Sequence, residues 1–96
     1  MSYQIEVSAK AQSEISKARI WYAEQSYGLE EKFISDLKIE IESLLDPRIE
    51  HKLFSGRTRR LLMSRFPYVI YYIRDTDRMI VHISSVLHNR QLQNIG

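Results

Sequence analysis

The sequence contains no cysteine among its 96 residues, which removes disulfides, thiolate-held zinc and thiol nucleophiles from its chemistry. That absence suits a reducing compartment. No apolar run approaches the ~20 residues that span a bilayer, and the opening MSYQIEVSAK lacks the hydrophobic core of a secretory signal. A cytoplasmic protein without a membrane segment is expected. The three histidines, His51, His82 and His88, share no ligand spacing with each other or with the acids, so no metal and no cofactor is expected. Internal repeats, low-complexity tracts and domain boundaries are also missing, so residues 1–96 read as one domain. A domain of this size buries roughly 60–70% of its unfolded surface, enough for a core without crosslinks.

What is present is charge, unevenly placed. The formal net charge is only +2. Residues 1–46 hold nine acids against five Lys and Arg, a net −4, and residues 47–96 hold nine Lys and Arg against three acids, a net +6. A split of this kind points to an anionic partner for the C-terminal half.

Taken in order, Ser2 to Val7 alternates Tyr3, Ile5 and Val7 with Gln4 and Glu6, the period of a short strand. Ser8 has the character of an N-cap for a helix running to about Gln25. Its apolar stripe is Ala11, Ile15, Ala18 and Tyr22, with Trp21 beside it. Gly28 closes a short connection. A second helix is predicted over Leu29 to Leu45, with Phe33, Leu37, Ile41 and Leu44 in line and acids on the other faces. Asp46-Pro47 ends it, because proline disfavours helix in the residue before it. Two amphipathic helices joined this closely form an antiparallel hairpin. Ile49 to Gly56 is irregular, with His51 expected in solvent.

Arg57 to Arg90 holds most of the β-forming residues and seven arginines. Three strands are predicted: Arg59 to Phe66, Tyr68 to Ile73 after a turn at Pro67, and Met79 to Leu87 after the Arg74–Arg78 loop. Strict alternation on the last strand puts Met79, Val81, Ile83, Ser85 and Leu87 on one face, and Ile80, His82, Ser84, Val86 and His88 on the other. The order is β-α-α-β-β-β, an α+β fold with a helical hairpin packed on a mainly antiparallel four-stranded sheet.

These pieces together resemble the RelE/ParE superfamily of toxins from bacterial type II toxin–antitoxin systems. The resemblance rests on Trp21-Tyr22 ending the first helix and on Phe33, Leu37, Ile41, Leu44 and Pro47 in the second. It continues in Gly56 with Arg59-Arg60, in the run Pro67-Tyr68-Val69-Ile70-Tyr71-Tyr72, and in the closing Val86-Leu87-His88-Asn89-Arg90. It covers nearly the whole chain and lies nearer the ParE-like, plasmid-stabilisation branch. It implies a cytoplasmic toxin neutralised by a small cognate antitoxin. ParE-like members inhibit DNA gyrase, whereas RelE-like members cut mRNA on the ribosome. Many of the mRNA-cutting relatives carry an arginine where Tyr68 stands here.

The residues themselves leave both targets open. Metal-independent RNA cleavage needs a base for the 2′-hydroxyl, a cation on the phosphate and an acid for the leaving oxygen. His88 suits proton transfer, Arg60 and Arg65 suit a phosphate clamp, and Tyr68 suits base stacking or proton donation. For a non-enzymatic gyrase inhibitor, Arg57, Arg59, Arg60, His88 and Arg90 form the expected binding surface. A third possibility is an inactive member that only binds its antitoxin.

Overall fold

The computed structural model describes residues 2–90. Strand β1 (Gln4–Val7) leads through Ser8 into helix α1 (Ala9–Gln25), and helix α2 (Leu29–Glu42) returns antiparallel to it before a single 3-10 turn, Ser43–Leu45. Four strands follow: β2 (Leu53–Ser55), β3 (Thr58–Leu62), β4 (Tyr68–Asp75) and β5 (Ile80–His88).

Local chemistry explains where the helices begin and end. The Ser8 hydroxyl accepts the Ala11 amide at 3.0 Å and donates to the Ser84 carbonyl at 3.0 Å, so one side chain caps α1 and ties it to β5. Gly28 sits at φ 81, a left-handed conformation that glycine adopts without a Cβ penalty, and it reverses the chain between the helices. The second helix is shorter than its hydrophobic pattern predicts. Its last turn tightens into the 3-10 segment, which still carries Leu44 into the core at 0% exposure.

The sheet has five strands in the order β1-β5-β4-β3-β2. The fifth, β2, is a three-residue edge strand in the stretch that the sequence shows as irregular; it pairs with β3 across the turn at Gly56. Strand β1 runs parallel to β5 and every other pairing is antiparallel. The helices cover one face only. Phe33, Ile70, Tyr72, Val81 and Ile83 are fully buried there, and Tyr22, Phe33 and Phe66 pack with ring centroids 5.0–5.3 Å apart.

Strict alternation fails on β5. The register with β4 pairs Tyr71 with Ser85 and Tyr72 with Ile83, which leaves Ser84 as an extra residue. A bulge inserts one residue and reverses the phase beyond it. Val81 and Ile83 therefore share the helix-covered face with Val86 and His88, while Leu87 turns to the other face. The single alternating series of the sequence reading is corrected to two half-strands of opposite phase. Met79 is not the first residue of this strand either. It takes a left-handed conformation, φ 58, in the turn between β4 and β5.

Candidate functional site

The basic residues divide between the faces of the sheet. On β3, Arg59 lies opposite Tyr72 and Arg60 opposite Tyr71, so the two arginines point to opposite sides. Arg59 is engaged locally: it donates to the His51 carbonyl at 2.6 Å and reaches Glu50 at 3.4 Å. Arg60 lies on the open face, with its guanidinium 5.8 Å from the centre of the Phe54 ring. Arg57 is exposed in the β2–β3 turn and lines a shallow hollow with Arg59, Arg74 and Glu50. Arg65 follows β3 and lies beside α2, 3.9 Å from Asp36, with its side chain largely in solvent.

His88 and Tyr68 are on the helix-covered face, opposite each other on β5 and β4. Their rings meet edge to face at 5.2 Å. The Arg90 amide donates to His88 Nδ1 at 3.0 Å, so in the neutral ring the proton resides on Nε2. Burial pushes the Tyr68 phenol above its ordinary value, which keeps it protonated. With Trp21 from the end of α1, these residues and Arg90 border a cleft at the end of the sheet. The cleft continues along α1 past Lys17 and Glu14. His88, Tyr68 and Arg90 are thus brought together. Arg60 is on the other face, and Arg57, Arg59 and Arg65 are elsewhere.

Three features escape the sequence reading. Glu14, at the border of the α1 apolar stripe, accepts the Ser85 hydroxyl at 2.8 Å and the Val86 amide at 2.9 Å with one carboxylate oxygen. It replaces a strand neighbour for β5, because β1 ends opposite Ile83. Arg74, expected in a loop, is on β4 and gathers the chain after α2. It donates to the carbonyls of Ile49 and Leu44, both at 2.7 Å, and lies over the rings of Tyr3 and Tyr72. His51, expected in solvent, places Nδ1 2.8 Å from the Tyr72 hydroxyl. Burial, reinforced by the Arg74 charge, lowers its pKa below the ordinary histidine value. A polar residue beside an apolar stripe is the only sequence signal for Glu14, and nothing local marks the other two.

His82 faces away from the helices beside Glu6, with Nδ1 3.7 Å from the carboxylate, a surface pair at the β1–β5 edge. Among the described residues no group of three or more His, Asp or Glu is placed to hold a metal ion. No described helix is long and apolar enough to cross a membrane.

Comparison with known proteins gives this arrangement a family. The profile described as the ParE toxin of type II toxin–antitoxin systems, parDE, matches residues 5–93. No curated protein is significantly similar in sequence. Among solved structures, a chain of the chromosomal ParDE toxin–antitoxin system from P. aeruginosa shares the fold with a TM-score of 0.74. The alignment covers 90% of this chain and 95% of that one at 14% identity. With two helices over a mostly antiparallel sheet and a family match across nearly its whole length, this chain belongs to the ParE toxin family of type II toxin–antitoxin systems.

Proposed function

We propose that the protein is a growth-inhibiting toxin of the cytoplasm that binds DNA gyrase without cleaving nucleic acid, and that a cognate antitoxin neutralises it. One observation carries the choice of a binding mechanism. His88 and Arg60 lie on opposite faces of the sheet, and Arg65 lies beside Asp36 on α2. Phosphodiester cleavage needs the proton-transfer group and its cations around one phosphate, and the Arg60 and Arg65 clamp is not assembled at His88, where Arg90 is the arginine that borders the cleft. The arginines act instead as separate anchors, Arg60 on the open face and Arg90 beside the cleft, with Arg57 at the sheet rim.

A ribosome-dependent mRNA endoribonuclease is the second reading. It draws on the shared cleft of His88, Tyr68, Trp21 and Arg90, where an imidazole, a phenol and a guanidinium meet an aromatic wall.

A gyrase supercoiling assay run beside an in vitro translation assay separates the two. The expected result is dose-dependent loss of supercoiling with intact mRNA. Arg60→Ala and Arg90→Ala weaken inhibition in a salt-dependent way, and His88→Gln has a mild effect. Codon-specific mRNA cleavage that His88→Gln abolishes, with supercoiling untouched, replaces the first reading by the second.

A further inference from the structure

A hollow of about 300 Å³ opens at the end of the sheet opposite the Trp21–His88 cleft. Tyr68, paired with His88, begins β4, and Arg74 lies about 20 Å further along the same strand. Arg59 lies opposite Tyr72, and Tyr72 and Arg74 are two apart on β4, so both guanidinium groups belong to the helix-covered face. Strand β2 adds Leu53 to the walls, the β2–β3 turn adds Gly56 and Arg57, and the β4–β5 turn adds Thr76.

The charges lining this hollow do not balance. Arg57, Arg59 and Arg74 meet a single carboxylate, Glu50, which leaves a surplus of +2. Arg74 is held by neutral groups, the carbonyls of Leu44, Asp46 and Ile49 at 2.7–3.3 Å, so its charge is fixed in place without a bonded acid. Arg57 is exposed and makes no hydrogen bond or ion pair among the described residues. Arg59 is anchored to the His51 carbonyl at 2.6 Å, whereas Glu50 reaches it only at 3.4 Å from a side chain that is 67% exposed. An exposed ion pair of that length is weak and readily exchanged. The neighbouring acids are committed elsewhere, Asp46 to Arg48 and Asp75 to the Arg78 amide, and neither these nor Asp77 lines the hollow.

We propose that this hollow binds the dianionic phosphoryl group of a small molecule, a phosphomonoester or free phosphate. Such a group carries about two negative charges near neutral pH, which matches the surplus. A nucleic-acid backbone brings one charge per phosphate and draws its affinity from many contacts, and three arginines in one hollow do not trace a strand. Arg57 and the planar fork of Arg59 take the phosphoryl oxygens, and Thr76 offers a hydroxyl. Arg74, its terminal nitrogens already bonded, contributes a fixed positive field rather than a contact. Glu50 is the internal competitor and swings into solvent when the phosphate enters. Leu53, 58% exposed, gives the organic part of a monoester an apolar bank beside the cations.

The test follows amide chemical shifts of the full-length protein at constant ionic strength. Three probes are titrated: inorganic phosphate, phenyl phosphate and a short oligodeoxythymidine. Saturable shifts at Gly56, Arg57 and Thr76 are expected with the first two and not with the third. Tighter binding of phenyl phosphate assigns the ligand to the monoesters, equal binding assigns it to free phosphate, and either supports the site. Arg57→Ala, at an exposed side chain, should weaken binding about tenfold. Glu50→Gln should tighten it about two- to fivefold, a gain that damage to the fold cannot imitate. The proposal is overturned if sodium chloride alone reproduces the shifts, or if neither phosphate probe saturates. It is also overturned if Arg57→Ala binds as well as the parent, if Glu50→Gln binds no more tightly, or if the oligonucleotide perturbs the same amides at lower concentration. Gyrase inhibition plays no part in this readout, so either reading can fail without the other.

Discussion

The two faces of the sheet are made from the same strands and differ in almost everything else. On the helix-covered face, Phe33, Tyr72, Val81 and Ile83 have no exposed surface, and Tyr22, Phe66 and Tyr68 surround Phe33. On the open face, Val69 and Tyr71 are buried only by their neighbours, and Phe54, Leu62 and Arg60 form the outer layer. One face supplies the hydrophobic free energy of folding. The other is left uncovered by the described helices. Substitutions on the two faces should therefore separate stability from partner binding, and four experiments press on that separation.

Phe33→Ala should have the largest effect. The ring is fully enclosed, and its loss leaves a cavity costing about 3–5 kcal/mol. Urea unfolding of the parent and the variant measures it, and a change below about 1 kcal/mol would disprove the packing. Arg74→Met should come next. It keeps much of the side-chain volume but leaves the Ile49 and Leu44 carbonyls without their donor, at about 2–3 kcal/mol. Hydrogen exchange should then rise in the segment after α2 while the α1–α2 hairpin stays protected.

His51 sharpens the comparison through pH. Its folded pKa is below the ordinary 6.5 because burial disfavours the charged ring. The unfolded chain then binds more protons between the two values. The contribution is complete above the unfolded value and is lost as pH falls through it toward the folded one. Unfolding titrations from about pH 7.5 down to about pH 5.5 should show falling stability in the parent and a flatter profile in His51→Gln. The Asp46 carboxyl, held down to about 2 by Arg48, titrates below this window and does not blur it. An unchanged slope in the variant would remove His51 as the cause.

The smallest effect is expected on the open face. Leu62→Ser should alter stability by no more than about 0.5 kcal/mol, since the side chain is already more than half in solvent. A loss several times larger would mean that this face contributes to folding as the covered one does, and the comparison would fail.

The helices were legible because their signals are local. Ser8 caps α1 with its own hydroxyl, and the Phe33–Leu37 stripe returns at helical spacing, so neighbouring residues carry enough information. Strand β2 was not legible. Three exposed residues, Leu53 to Ser55, have no alternation of burial to reveal them and become a strand only through pairing with β3. The candidate site was legible in its parts and not in its assembly. Tyr68, His88 and Arg90 were identified as chemically apt residues and do share a cleft. Arg60 was identified with them and stands across the sheet.

By itself the sequence determined the hairpin of helices, the α+β class, the basic C-terminal half and the resemblance to a toxin family. Each follows from periodicity, composition or the order of short motifs. Only the tertiary structure decided which residues meet. The extra residue at Ser84 reverses the phase of β5, so His88 joins the covered face and Leu87 the open one. Glu14, 72 residues away from Val86 in the chain, accepts its amide where β1 has ended. A period of two carries no record of a bulge, and a carboxylate on a helix carries no record of the strand it will cap. Both are settled when the strands and α1 pack, because buried amides and apolar side chains then admit one register.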